Sequence, residues 1–170
     1  MIFVTVGNAK QGFKRLLEAI DEFAGNGMFK SESVIIQSGS NRDFHASHCT
    51  QRDFFPPEEF SELINNADLI VCHGGAGTLH YVFQAGKVPV VMPRRRKYGE
   101  HLDDQFELVK ALNEQARIIA AFEPSDLAGA IHKARNYKLS SKPAPPDIAI
   151  RLIEEAIDQL VHPRHQCISR

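Results

Sequence analysis

The sequence has little cysteine, no tryptophan and almost no net charge. Its three cysteines, Cys49, Cys72 and Cys167, are too few and too scattered for a disulfide scaffold, which indicates a reducing compartment. The 20 basic and 21 acidic side chains leave a formal charge of −1, so no overall positive field attracts nucleic acid or an anionic membrane. The opening apolar run, residues 1–6, is too short for a signal peptide or a membrane span. We therefore expect a cytosolic chain that begins with a strand.

The sequence does contain enough apolar residues for the core of one domain. Of its 170 residues, 43% are hydrophobic, and short apolar runs rich in β-branched residues alternate with amphipathic stretches. Such runs are typical of parallel strands buried under two layers of helices. We therefore predict a three-layer, Rossmann-like α/β fold with an open parallel sheet. The predicted strands are residues 2–6, 34–37, 69–72, 88–92 and 118–121, and the predicted helices are residues 13–23, 58–64, 79–84, 106–112 and 127–134.

Composition divides the chain into three parts. Residues 1–137 carry the alternating pattern and form the predicted Rossmann-like domain. Residues 138–146 are polar and rich in proline, which predicts a linker. Residues 147–170 hold an extra C-terminal helix and a tail, and the apolar stripe of this helix packs either on its own sheet or against a partner. Residues 38–53 are polar enough to predict mostly loop.

A glycine-rich turn between a predicted strand and a predicted helix is the strongest indication of a ligand site. It reads CHGGAGT and runs from Cys72 to Thr78. Its three glycines let backbone N–H groups approach an anion, and the positive end of the helix attracts that anion. Thr78 can cap the helix or reach a phosphate oxygen. The turn predicts a phosphate site, with a tight turn that binds no ligand as the alternative.

Two other phosphate-binding motifs do not match this chain. A dinucleotide fingerprint needs an acidic residue about 20 positions beyond its glycines. Residues 94–97, which occupy that zone, read Arg-Arg-Arg-Lys. A P-loop needs a lysine directly after its second glycine, where this chain has Phe13. His45, His48 and Cys49 lack a fourth metal ligand at regular spacing, so we expect no metal site.

A second candidate cluster spans residues 93–105, which read PRRRKYGEHLDDQ and follow the predicted strand 88–92. Loops at the carboxyl ends of parallel strands carry ligand sites. The basic side chains could neutralise a pyrophosphate or meet lipid headgroups, and the alternative for them is a solvated surface. Asp104 and Gln105 offer the paired hydrogen-bonding groups that hold sugar hydroxyls.

Three segments together resemble glycosyltransferase family 28, in particular the C-terminal half of the MurG-type enzymes. They are FSELINNADLIVCHGGAGT at residues 60–78, GKVPVVMPR at residues 86–94 and KYGEH at residues 97–101. The opening FVTVG at residues 3–7 is similar to the start of the short split members. These members are the cytosolic subunit of the eukaryotic dolichol-pyrophosphate N-acetylglucosamine transferase and its bacterial exopolysaccharide counterparts. The likeness covers roughly residues 1–135.

The resemblance implies half of a GT-B enzyme, namely the donor-binding subunit of a two-component inverting glycosyltransferase. The donor would be UDP-GlcNAc, UDP-glucose, UDP-galactose or UDP-glucuronate, used as a substrate without a metal or other cofactor. A membrane-anchored partner subunit would bring the lipid-linked saccharide acceptor and the catalytic base, so the resemblance assigns no catalytic residue to this chain. The chain would be cytoplasmic and held at the membrane face through that partner, with no nucleic acid bound.

The resemblance also assigns residues to the donor. The residues for its diphosphate are Gly74, Gly75, Ala76, Gly77 and Thr78. The residues for its sugar and nucleotide are His73, Tyr81, Gly7, Asn8, Arg94, His101, Asp104 and Gln105.

Three positions depart from the pattern of the resembled family. Tyr81 stands where a glutamate holds the ribose hydroxyls, Asn8 stands where threonine is usual, and Asp104 stands where we expect histidine. A changed donor or a weakened enzyme would explain all three departures. Two other functions therefore stay open: a non-catalytic regulatory subunit that binds a nucleotide sugar, and a GT-B enzyme such as a UDP-sugar epimerase, which needs two domains in one chain.

Overall fold

A computed structural model describes residues 1–137 of the chain. The predicted linker at residues 138–146 and the predicted helix and tail at residues 147–170 lie outside the described residues. The elements, in chain order, are β1 (Ile2–Thr5), α1 (Lys14–Gly25), β2 (Val34–Gln37), β3 (Thr50–Arg52), α2 (Pro57–Asn66), β4 (Leu69–His73), α3 (Ala76–Gln84), β5 (Val90–Met92), a 3₁₀ turn (Arg96–Tyr98), α4 (Phe106–Glu114), β6 (Ile119–Ala120) and α5 (Pro124–Arg135).

The six strands form one parallel sheet in the order β3-β2-β1-β4-β5-β6. The predicted Rossmann-like α/β fold is therefore confirmed. Thr5 at the end of β1 lies level with Gln37 of β2 and Cys72 of β4, and His73 lies level with Met92 of β5. Because the strands are parallel and end at the same level, the segments that follow them gather along one edge of the sheet.

Two apolar clusters cover the two faces of the sheet. One cluster holds buried side chains of α1 and α5, including Leu17 and Ile131, together with Ile2 and Val4 of β1. The other holds buried side chains of α2, α3 and α4 together with Phe3 of β1. Successive β1 residues thus point into different clusters, which explains why Ile2, Phe3 and Val4 are all apolar.

Residues 38–53 are mostly loop, as expected, but the prediction missed one short strand among them. They include β3, which pairs in parallel with β2 through Ile35 and Thr50 and through Ile36 and Gln51. This strand lies at the edge of the sheet and consists of polar residues that are exposed or half-buried. An edge strand of this kind lacks the apolar run by which buried parallel strands are recognised.

None of the helices within residues 1–137 combines the length and the apolar character that crossing a bilayer requires.

Candidate functional site

A cavity of about 330 Å³ lies where the order of the strands reverses, at the carboxyl ends of β1 and β4. These two strands are neighbours, but the chain continues from β1 toward β2 and from β4 toward β5. In open α/β sheets such a reversal leaves a crevice in which ligands bind. The residues that line the cavity are Gly7, Asn8, Gln37, Phe55, Pro57, Phe60, His73, Gly75, Gly77, Thr78 and Tyr81.

The first turn of α3 brings unpaired backbone N–H groups to the edge of this cavity. The first hydrogen bond of the helix joins the Leu79 N–H to the Gly75 carbonyl at 3.0 Å. The N–H groups of Ala76, Gly77 and Thr78 precede it and have no acceptor within the helix. The helix begins at Ala76, earlier than the predicted start near Leu79, so Thr78 lies inside the first turn and does not cap it. With Gly75 as the N-cap and no acidic residue in this turn, the helix end can accept an anion.

His73, the last residue of β4, places its ring between two glycines. A Cβ atom added at Gly7 or at Gly75 would come within 3.0 Å of the imidazole. Gly7 also has a φ of +68°, a conformation that favours glycine. The side chain of His73 is buried, and its Nδ1 atom has no hydrogen-bond partner among residues 1–137. Burial, aided by the nearby Arg94 cation, lowers the pKa of His73 to about 3, so the imidazole is neutral at physiological pH.

The low pKa of His73 predicts a specific acid sensitivity. Between pH 6.5, where an unfolded histidine titrates, and about pH 3, the unfolded chain takes up a proton that the folded chain does not. This histidine therefore lowers the free energy of unfolding as the pH falls through that window. Between pH 7 and pH 5, the free energy of unfolding of the unmodified protein should fall by about 2 kcal/mol more than that of a His73→Asn variant. Urea unfolding at the two pH values measures this difference.

Above pH 7 both proteins should show the same pH dependence, which serves as the internal control for the His73→Asn variant. Equal losses in the two proteins between pH 7 and pH 5 would contradict a neutral, buried imidazole.

Gln105 joins the turn after β4 to the end of β5. Its Oε1 atom accepts hydrogen bonds from the Gly74 N–H at 3.1 Å and from the Arg94 N–H at 3.0 Å. The Gly74 N–H is therefore already engaged within the protein. A Cβ atom at Gly74 would also lie 2.6 Å from the Val109 side chain, so this glycine lets the turn pack closely against α4.

Arg94 does not line the cavity and is fully buried beneath the neighbouring loops. Its guanidinium donates to the carbonyls of Val6 at 2.7 Å, Gln11 at 2.8 Å and Glu100 at 2.9 Å. It also lies over the ring of Phe13, 5.0 Å from the ring centroid. Burial lowers the pKa of Arg94 to about 10, so the side chain keeps its charge at neutral pH. Arg94 thus holds the loop after β1 against the loop after β5.

Other charged residues after β5 also pair with protein groups. Glu100 accepts a hydrogen bond from Arg15 at 2.6 Å, and Asp104 accepts one from Arg95 at 3.1 Å. Burial raises the pKa of Asp104, but the Phe106 N–H and the Arg95 guanidinium lower it more, so the net shift is downward. These pairs give the loop a defined shape at the carboxyl edge of the sheet.

Comparison with protein families shows which family the chain belongs to. The family model for the glycosyltransferase family 28 C-terminal domain matches residues 1–160. The chain belongs to this family. The resemblance drawn from the sequence motifs is therefore confirmed. A comparison with curated proteins gives no match.

Solved glycosyltransferases with TM-scores above 0.5 share the fold of this family 28 domain. The glycosyltransferase of kitacinnamycin has a TM-score of 0.59 and 17% identity over 92% of this chain and 38% of its own. The calicheamicin glycosyltransferase CalG4 has a TM-score of 0.57 and 15% identity over 95% of this chain and 44% of its own. MurG of Acinetobacter baumannii has a TM-score of 0.49 and 18% identity over 89% of this chain and 49% of its own. This chain thus spans less than half the length of these glycosyltransferases.

The family 28 domain brings only part of the predicted donor residues to the cavity. Those that line it are Gly7, Asn8, His73, Gly75, Gly77, Thr78 and Tyr81. Those that do not line it are Gly74, Ala76, Arg94, His101, Asp104 and Gln105. Although Ala76 is outside the lining, its N–H belongs to the free first turn of α3. His101 lies in the loop after β5, where its Nδ1 accepts the Asp103 N–H at 3.1 Å.

Four lining residues of the family 28 domain were not among the predicted donor residues. They are Gln37, Phe55, Pro57 and Phe60. Gln37 could have been recognised, since it is a polar residue at the carboxyl end of an otherwise apolar strand, where ligands bind in open α/β sheets. The two phenylalanines carry no such signal, because their sequence pattern is also that of core residues.

Proposed function

We propose that this chain is the donor-binding subunit of a two-component inverting glycosyltransferase. It binds a UDP-sugar, and a membrane-anchored partner subunit binds the lipid-linked saccharide that receives the hexose. The observation that carries this proposal is the free first turn of α3, whose N–H groups lie beside the cavity at the strand reversal. This arrangement suits the diphosphate of an activated sugar, because backbone N–H groups and the helix dipole both favour negative charge.

The same groups support the proposed chemistry. When the bond between the hexose and the diphosphate breaks, negative charge grows on the departing UDP. The N–H groups of Ala76, Gly77 and Thr78 are held in place by the helix, so they stabilise this charge without reorganising. In this mechanism the amide dipoles stabilise the leaving group, and the proposal includes no metal cofactor.

An inverting transfer also needs a general base that removes the proton from the acceptor hydroxyl. Within residues 1–137, His73 is the one imidazole that lines the cavity. Its pKa of about 3 makes it a weak base at neutral pH, and its ring is enclosed between Gly7 and Gly75. We therefore place the base on the partner subunit.

A second candidate function is a regulatory subunit that binds a nucleotide sugar without transferring it. Tyr81 favours this alternative, because it lines the cavity at the position where the resembled family has a ribose-binding glutamate. Both functions require nucleotide-sugar binding and differ only in whether transfer follows.

The proposal predicts donor binding by the isolated chain and transfer only in the presence of a partner. We expect a thermal-shift screen of UDP-GlcNAc, UDP-glucose, UDP-galactose and UDP-glucuronate to show stabilisation by at least one of them. Without a partner, we expect transfer to a lipid-linked saccharide at less than about 1% of the rate of the complex, because a missing general base costs about 100-fold or more. The partner tested is the product of a neighbouring reading frame with a membrane-anchoring N-terminus.

The outcomes of this experiment separate the alternatives. Binding with no transfer in the complex would favour the regulatory subunit. The absence of binding to every UDP-sugar, or full transfer by the isolated chain, would contradict the proposed function.

A further inference from the structure

Among residues 1–137, none of those that line the cavity at the strand reversal has a charged side chain. One part of its wall is aromatic and consists of Phe55, Phe60 and Tyr81. The rings of Phe60 and Tyr81 meet edge to face, with centroids 5.5 Å apart and planes at 80°. Phe60 in turn meets Phe3 of the core at 5.5 Å, so the wall is continuous with the core packing. Such a wall provides a rigid apolar surface for a planar ring.

The polar groups of this cavity are neutral. Gln37 is 3% exposed, and its Oε1 atom has no hydrogen-bond partner among the described residues. Its Nε2 atom donates to Asn8 Oδ1 at 3.1 Å, which holds the amide in place. The Tyr81 side chain is partly exposed. The cavity can therefore form single hydrogen bonds with a ligand, but its lining within the described part of the chain offers no carboxylate.

We infer that the donor nucleoside binds here without a carboxylate contact to its ribose hydroxyls, so 2′-deoxynucleoside diphosphates bind nearly as tightly as ribonucleoside diphosphates. This inference rests on the proposed function and specifies the class of donor that the site accepts. Tyr81 is the residue that determines this selectivity, since it lies on α3 beside the free first turn and lines the cavity.

The physical basis is the strength of the possible contacts to the 2′-hydroxyl. A carboxylate that accepts hydrogen bonds from both ribose hydroxyls forms two charge-assisted bonds, each about twice as strong as a neutral one. A site that depends on such bonds discriminates strongly against a ligand that lacks a hydroxyl, because a buried polar group is left unpaired. A single neutral hydrogen bond from a partly exposed phenol changes affinity only about fivefold.

The test compares UDP with 2′-deoxy-UDP by isothermal titration calorimetry on the full chain. We expect the two dissociation constants to differ by less than tenfold. A tenfold or greater preference for UDP would overturn the inference and leave the proposed function intact. If UDP itself did not bind, the proposed function would fail and the inference with it.

A pair of variants tests the assignment to Tyr81. In Tyr81→Glu, the new carboxylate is expected to raise the preference for UDP over 2′-deoxy-UDP at least tenfold relative to the unmodified chain. In the matched control His80→Glu, the carboxylate is added at the neighbouring position, which does not line the cavity, and the ratio is expected to stay unchanged. Equal ratios in both variants, each shown to be folded by its thermal transition, would overturn the role of Tyr81.

Discussion

Replacing Gly77 with aspartate is expected to abolish most of the affinity for UDP without unfolding the domain. Gly77 lies in the free first turn of α3, and a Cβ atom at this position meets no other atom within 4 Å. The new carboxylate would repel the donor diphosphate by about 3 kcal/mol, which corresponds to a loss of roughly 100-fold in affinity. Titration calorimetry with UDP on the full chain measures this loss.

The effect of the Gly77→Asp substitution on folding has the opposite sign. An acidic side chain in the first turn of a helix interacts favourably with the dipole, and replacing a helical glycine removes an entropic cost. We therefore expect the melting temperature to stay the same or rise. Gly77→Asn, which is similar in size but uncharged, should lose less than tenfold in affinity. Affinity for UDP that is unaffected by the aspartate would remove the α3 turn from the proposed site.

Gly75 lines the same cavity but is a poorer position for this test. Any side chain there would overlap the imidazole of His73, so a loss of binding would combine charge repulsion with displacement of the ring. Gly77 separates the two effects because the space around it is open.

Replacing Arg94 with leucine is expected to destabilise the domain by about 4 kcal/mol, since several buried carbonyl groups lose their donor at once. The affected carbonyls are those of Val6, Gln11 and Glu100. They belong to the loop after β1 and the loop after β5, which are far apart in the chain. Urea unfolding of the full chain at pH 7 measures the change in the free energy of unfolding.

Two further variants make the Arg94 result specific. Arg96→Leu removes an exposed arginine of the same loop and should change the free energy of unfolding by no more than about 0.5 kcal/mol. Arg94→Lys keeps the charge but lacks the forked set of donors, so its loss should lie between those of the other two variants. If Arg94→Leu lowered the free energy of unfolding by less than about 1 kcal/mol, its effect would be close to that of a substitution at an exposed site. Such a result would show that these carbonyls do not depend on the guanidinium.

The sequence was sufficient to predict most of the sheet and the α3 turn, for a physical reason. Buried parallel strands such as β1 and β4 must be apolar on both faces, and this requirement is visible in a single chain. A turn that exposes backbone N–H groups needs glycine, so CHGGAGT was informative as well. The edge strand β3 was missed, because a strand that is not covered on both faces need not be apolar.

The sequence was less informative about which residues of the loop after β5 meet a ligand. Arg94 and Gln105 follow a strand and have the chemistry of phosphate and sugar ligands, and both were predicted as donor residues. In the structure Arg94 binds loop carbonyls, and the Oε1 atom of Gln105 binds two backbone N–H groups. Whether a polar side chain faces a cavity or a backbone group depends on how distant loops pack, which no local pattern specifies.

By itself, the sequence determined the parallel α/β architecture, the position of the glycine-rich helix start and the resemblance to glycosyltransferase family 28, because burial and backbone conformation restrict residue types locally. Only the tertiary structure decided that Gln37 and the aromatic wall share a cavity with that helix start, and that no lining residue in the described part of the chain is charged. Those facts depend on strands far apart in the chain ending side by side at one edge of the sheet, where the chain order reverses.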